Sequence, residues 1–168
     1  EDYRDLRGRY DRLVSIEMIE AIGHRQFGEF FRRSANLLTR DGRMVLQSIT
    51  IADQHYERAR DEVDFIKRHI FPGSCIPSVP VLARASGRTD LRVVNVDELG
   101  LHYAETLRRW RSAMLAARDE IETLGLDARF QRLWEFYFCY CEGGFLEGVI
   151  GTAQIAYEKP AAPARRAE

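Results

Sequence analysis

The chain has 168 residues, with 25 Lys and Arg against 26 Asp and Glu, giving a formal net charge of −1. At 45% hydrophobic and 30% charged residues it has the makeup of one soluble globular domain, which excludes a disordered, collagen-like or disulfide-stapled chain. The balanced charge argues against nucleic acid as the main partner, and no apolar run approaches the roughly 20 residues needed to cross a bilayer.

In chain order, Tyr10–Ile16 is short and rich in branched apolar residues, and predicts a buried strand. Phe27, Phe30, Phe31, Leu37 and Leu38 recur around Arg32 and Arg33, as in an amphipathic helix over 27–38. Asp41-Gly42 reads as a turn, and 44–50 as a second strand, so the opening pattern predicts a parallel α/β sheet. Residues 51–70 are charged and helical, Phe71-Pro72-Gly73 breaks the chain, and a short helix follows over 79–85. Next come an alternating strand over 91–96 and a long helix over 103–124 that ends at Gly125. Asp127 is placed to cap a helix running to about Cys141, and 149–157 predicts the last strand. Residues 159–168, rich in Ala, Pro and Arg, predict a disordered tail.

Cys75, Cys139 and Cys141 show no Cys-x-x-Cys spacing and leave one thiol unpaired in any scheme, which favours a reduced, cytoplasmic setting. The four His have no ligand spacing, so no metal site is expected. The opening Glu1-Asp2-Tyr3-Arg4-Asp5 has neither an initiator Met nor the apolar stretch of a signal peptide, so a processed chain or a piece of a longer one is expected. No glycine-rich turn follows the first strand, and Gly143-Gly144 comes late, after an aromatic helix. The expected fold is therefore α/β, the second half of a Rossmann-like domain.

Four blocks in register carry a resemblance. They are Tyr-Asp-Arg-Leu-Val-Ser-Ile-Glu-Met-Ile-Glu-Ala-Ile-Gly over 10–23, Phe-Ile-Lys-Arg-His-Ile-Phe-Pro-Gly over 65–73, His-Tyr-Ala-Glu-Thr-Leu-Arg-Arg-Trp over 102–110, and the aromatic run over 137–145. Together they resemble the cyclopropane-fatty-acyl-phospholipid synthases, a family that includes the mycolic acid cyclopropane synthases and uses S-adenosylmethionine. The resemblance implies a class I methyltransferase domain over 1–158, with a helical substrate lid at about 51–88. It also implies that the main cofactor loop lies upstream of this chain, and a fragment of that kind is expected to be inactive alone. The chemistry implied is methyl transfer to a cis double bond of a phospholipid acyl chain, followed by proton removal by a bound bicarbonate and ring closure.

By the same resemblance, Glu20, Tyr103 and the backbone of Ile49 meet the bicarbonate. Gln47 stands where better-known members carry His; it keeps an anion donor but cannot titrate. Cys141 lies near the site as a pocket-lining group, and Tyr3 and Arg4 match the segment that contacts the cofactor's adenine. The substrate would place the protein at the inner face of the membrane, peripheral to it, with Lys67, Arg68 and His69 as a basic step toward lipid headgroups. A homodimer, a relative making methyl-branched products and a non-catalytic binding module all stay open.

Overall fold

The structure, a computed structural model, describes residues 2–160. Its frame is a four-stranded sheet of β1 (Tyr10–Ile16), β2 (Leu38–Ile51), β3 (Arg92–Glu98) and β4 (Ile150–Glu158), ordered β1-β2-β4-β3. The expected parallel sheet holds only for β1 and β2. The last strand inserts between β2 and β3 and runs antiparallel to both, so the sheet is mixed.

Helix α1 (Phe27–Leu37) forms the β1–β2 crossover, and its apolar stripe of Phe27, Phe30, Phe31 and Ala35 is buried. Phe31 packs on Tyr157 of β4 at 5.4 Å, and around them Leu38, Met44, Leu46, Leu82 and Ile155 complete the larger apolar core. The turn expected at Asp41-Gly42 is instead a bulge within β2. Pairing jumps from Tyr10 with Leu38 to Arg12 with Arg43, and Asp41 takes φ 61°. Gly42 is required there, since a Cβ would sit 2.8 Å from the Thr39 carbonyl oxygen.

Three expected elements differ for identifiable reasons. In the sheet of the described residues β1 lies at one edge and is not buried, with Val14 64% and Ile16 62% exposed. β3 is the opposite edge and is exposed along its length, so its alternation buries no face. The helical stretch after β2 divides into α2 (Asp53–Asp61), α3 (Phe65–His69) and α4 (Val79–Ser86). The Asp64 carboxylate caps α3 by accepting the Lys67 N–H. Lys67 turns inward, its ammonium donating to the carbonyls of Ala59, Arg60 and Glu62, so it caps the end of α2 and is not part of a surface step.

The long helix likewise divides, at Ala117, into α5 (Gly100–Ala116) and α6 (Arg118–Thr123). Helix α7 (Ala128–Leu146) begins at the Asp127 cap and continues through both glycines, past the expected end at Cys141. Helices α5 and α7 pack together and enclose a second, smaller apolar cluster of Ala104, Leu107, Phe138 and Phe145. Lys159, expected to open a loose tail, donates to the Ala35 carbonyl through Nζ and to the Gly42 carbonyl through its N–H. The rest of that expected tail, beyond Pro160, lies outside the described residues.

Candidate active site

The carboxyl ends of the parallel strands β1 and β2 are where an α/β sheet places its ligands, and four polar side chains meet there. Directly after β1, Glu17 adopts φ 51°, a left-handed conformation that branched or long side chains rarely take. Its N–H donates to the Gln47 carbonyl at 2.9 Å, which fixes this kink against β2. The kink brings the Glu17 carboxylate to two donors. The Gln47 amide donates to Oε1 at 2.9 Å, and the Tyr103 hydroxyl, from α5, donates to Oε2 at 2.8 Å. Gln154, directly across from Gln47 in β4, donates through Nε2 to the side-chain amide oxygen Oε1 of Gln47 at 2.8 Å. That contact occupies the oxygen end of the Gln47 amide and leaves its NH₂ facing Glu17.

One turn further, Glu20 sits in a short 3₁₀ turn (Ile19–Ile22). Its Oε1 accepts from the Ser48 hydroxyl at 2.9 Å and from the Ile49 N–H at 2.5 Å. Its Oε2 is buried and has no hydrogen-bond partner. Burial pushes the Glu20 carboxyl above its usual range, and the charge of nearby Glu17 adds to this. The Glu20 carbonyl also accepts the Cys75 N–H at 2.8 Å, which ties the helical segment between β2 and β3 to this turn.

The apolar side of the site is the second cluster. Ile49, Tyr103, Tyr137, Trp134 and Cys141 pack onto it, and the Tyr103 ring stacks on Phe145 at 5.0 Å. The Cys141 thiol lies within this cluster, and burial pushes it up to about 12, so it stays protonated at neutral pH. It is a packed apolar group there. Cys141→Ala is expected to leave turnover within about threefold of wild type, and iodoacetamide to leave it unaffected; inactivation by either would show a thiolate at work. Beside the cluster an open groove of about 580 Å³ runs past Thr50, Ile51, Phe145 and Ile150. Both of its acids are engaged, Asp53 accepting from the Ser78 hydroxyl and Glu98 from the N–H groups of Gly100 and Thr152.

Of the residues singled out from sequence, Glu20, Gln47, Ile49, Tyr103 and Cys141 converge on this site. Tyr3 and Arg4 lie apart from it. Tyr3 packs edge-on against Phe30 at 5.8 Å in the larger core, and the Arg4 guanidinium pairs with Asp2 at 2.7 Å on the surface. Glu17 and Gln154 were missed. The readable signal for Glu17 was a second acid immediately after a strand at the ligand end of a parallel sheet.

Residues 1–155 match the family described as mycolic acid cyclopropane synthetase. The chain belongs to this family. The cyclopropane synthetase match extends to individual relatives. The chain is 40% identical over 154 residues to the tuberculostearic acid methyltransferase UfaA1 of Mycobacterium tuberculosis, covering 91% of this chain and 36% of that protein. It is 30% identical over 159 residues to the cyclopropane-fatty-acyl-phospholipid synthase of Escherichia coli, covering 95% of this chain and 40% of that one. Among solved structures, mycolic acid cyclopropane synthase CmaA1 complexed with SAH and CTAB superposes with a TM-score of 0.85 at 29% identity, over 94% of this chain and 58% of that one. The fold is that of a class I methyltransferase domain, and the chain spans between about a third and three fifths of the relatives it matches.

Proposed function

We propose that the protein acts in S-adenosylmethionine-dependent methyl transfer to a cis double bond in a lipid acyl chain, as part of a cyclopropane-synthase-like enzyme. The observation that carries this reading is the pairing of two carboxylates, Glu17 and Glu20, with an aromatic, apolar cluster entered through Ile49 and Tyr103. An acyl chain needs the apolar wall. A carbon cation formed along it needs anionic groups nearby and one of them to take a proton. S-adenosylmethionine, when bound, supplies an electrophilic methyl group. Against it these residues orient the alkene and hold negative charge. The helices over 51–88 would serve as the lid, and a lipid substrate would bring the protein to the inner, cytoplasmic face of a membrane. No helix among the described residues is long and apolar enough to cross one.

Bicarbonate fits these residues poorly. The three donors expected to hold it are the Tyr103 hydroxyl, the Gln47 amide and the Ile49 N–H, and each is already paired with a carboxylate of the protein. A third anion would stand beside two others with only the second N–H of the Gln47 amide left to it.

Two product classes fit the site. The 40% identity to a tuberculostearic acid methyltransferase favours a methyl-branched chain over a ring. Mass spectrometry of lipids from cells expressing the complete reading frame separates the two. A gain of one CH₂ with loss of the double bond marks a ring. A gain of CH₂ with the unsaturation kept, or with two further hydrogens, marks a branch, which is the expected result. Lipids without any added CH₂ would overturn the proposal.

A further inference from the structure

The left-handed kink at Glu17 is a cost with no structural return. A non-glycine residue in that region carries strain on the order of 1–3 kcal/mol, and the neighbouring Gly23 shows that the segment accommodates glycine where it needs positive φ. Sheet pairing does not need the Glu17 side chain either, since it is the backbone N–H that reaches Gln47. What the kink achieves is to hold a carboxylate between the Tyr103 hydroxyl and the Gln47 amide, with one donor on each oxygen. Each oxygen keeps a lone pair that can take a proton. The polarity of the arrangement is set from across the sheet, because Gln154 occupies the oxygen end of the Gln47 amide. The Tyr103 ring that supplies one donor also lines the apolar cluster, so the carboxylate borders the space an acyl chain would fill.

We infer that Glu17 is the base of the reaction, a carboxylate built into the chain where a bound anion would otherwise be held. This rests on the acyl methyl transfer proposed above. The alkene π pair forms the new C–C bond as the S–CH₃ bond breaks; the sulfur leaves as a neutral thioether and the neighbouring acyl carbon becomes positive. A Glu17 oxygen then takes a proton either from the transferred methyl group, whose C–H electron pair closes a ring onto the cationic carbon, or from a carbon next to the cation, whose C–H electron pair forms a double bond. Glu17 returns the proton to solvent. No oxidant or reductant enters.

The test uses protein expressed from its complete reading frame, S-adenosylmethionine and vesicles of unsaturated phosphatidylglycerol, in buffer freed of carbon dioxide. Glu17→Gly suits φ 51°, so this variant is expected to fold at least as stably as wild type. Wild-type turnover should be the same with and without added bicarbonate. Glu17→Gly should lose at least about a hundredfold, and millimolar bicarbonate should restore part of it by entering the space between Tyr103 and Gln47. A readout independent of turnover is ¹³C-bicarbonate NMR, with line broadening expected for Glu17→Gly and none for wild type. Wild-type turnover that collapses without bicarbonate, wild-type broadening of the bicarbonate line, or a Glu17→Gly variant as active as wild type in carbon dioxide-free buffer would each overturn the inference. A wild-type protein that methylates no unsaturated lipid would overturn the preceding functional reading instead, and this one with it.

Discussion

Glu20→Gln is expected to lower turnover by about 10²–10³-fold while making the folded protein more resistant to denaturant at neutral pH. The two effects share one cause. Glu20 is a buried acid with one oxygen held by Ser48 and Ile49 and the other unpartnered. Its negative charge is costly in the folded protein and useful beside a developing cation. Burial raises its folded pKa above the ordinary 4.5, so the folded state binds the proton more tightly than the unfolded chain does. The stability this proton contributes is complete below the ordinary value and is lost as pH rises through the raised one. A glutamine keeps an oxygen for Ser48 and Ile49 and carries no charge. Its stability advantage over wild type should therefore be largest at neutral pH and close as pH falls toward 4.5. Chemical denaturation of both proteins between pH 4 and 8, together with turnover at saturating lipid, checks both halves. Unchanged turnover would remove Glu20 from the chemistry.

Tyr103→Phe is expected to lower kcat by about 10- to 100-fold, the worth of one hydrogen bond to a charged group, with little change in KM for S-adenosylmethionine or in the unfolding midpoint. The ring keeps its stack on Phe145 and its edge contact with Trp110, so the packing that holds α5 survives. Only the hydroxyl's hydrogen bond to Glu17 goes. Burial first, and the Glu17 acceptor second, push the Tyr103 phenol well above its usual range. It remains a donor throughout the physiological range, and no limb of the pH–rate profile should belong to it. Loss of kcat with an unmoved midpoint, read by turnover and thermal melts side by side, separates this role from a purely structural one. Equal kcat in the two proteins would refute it.

How much of this was legible in the sequence differs from residue to residue. The β1 strand and the Asp127 cap followed from local pattern alone, because side-chain branching and capping act over a few residues. Sheet order did not. The antiparallel insertion of β4 between β2 and β3 depends on contacts across most of the chain, and the apolar run in β1 reads the same whether its strand is central or at an edge. Glu20, Tyr103, Gln47 and Ile49 were placed by family resemblance and do meet. What resemblance hid was their pairing, since it assigned to an outside anion the donors that Glu17 takes. Glu17 itself lies three residues before Glu20, and no local pattern singles it out. Its role turns on one backbone dihedral and on the strand register that sets Gln154 against Gln47. Neither is written in local composition.

The chain of contacts from Gln154 through Gln47 and Glu17 to Tyr103 also has a bearing on time. Its links join residues 107, 30 and 86 positions apart, and the first of them lies on β4, the last strand among the described residues. Such distant pairings close late, after local helices and the first strand pair have formed. The carboxylate therefore gains its full set of donors only once β4 has docked between its neighbours. A nascent or partly opened chain would hold the residues without the arrangement, so the appearance of activity would report completion of the sheet.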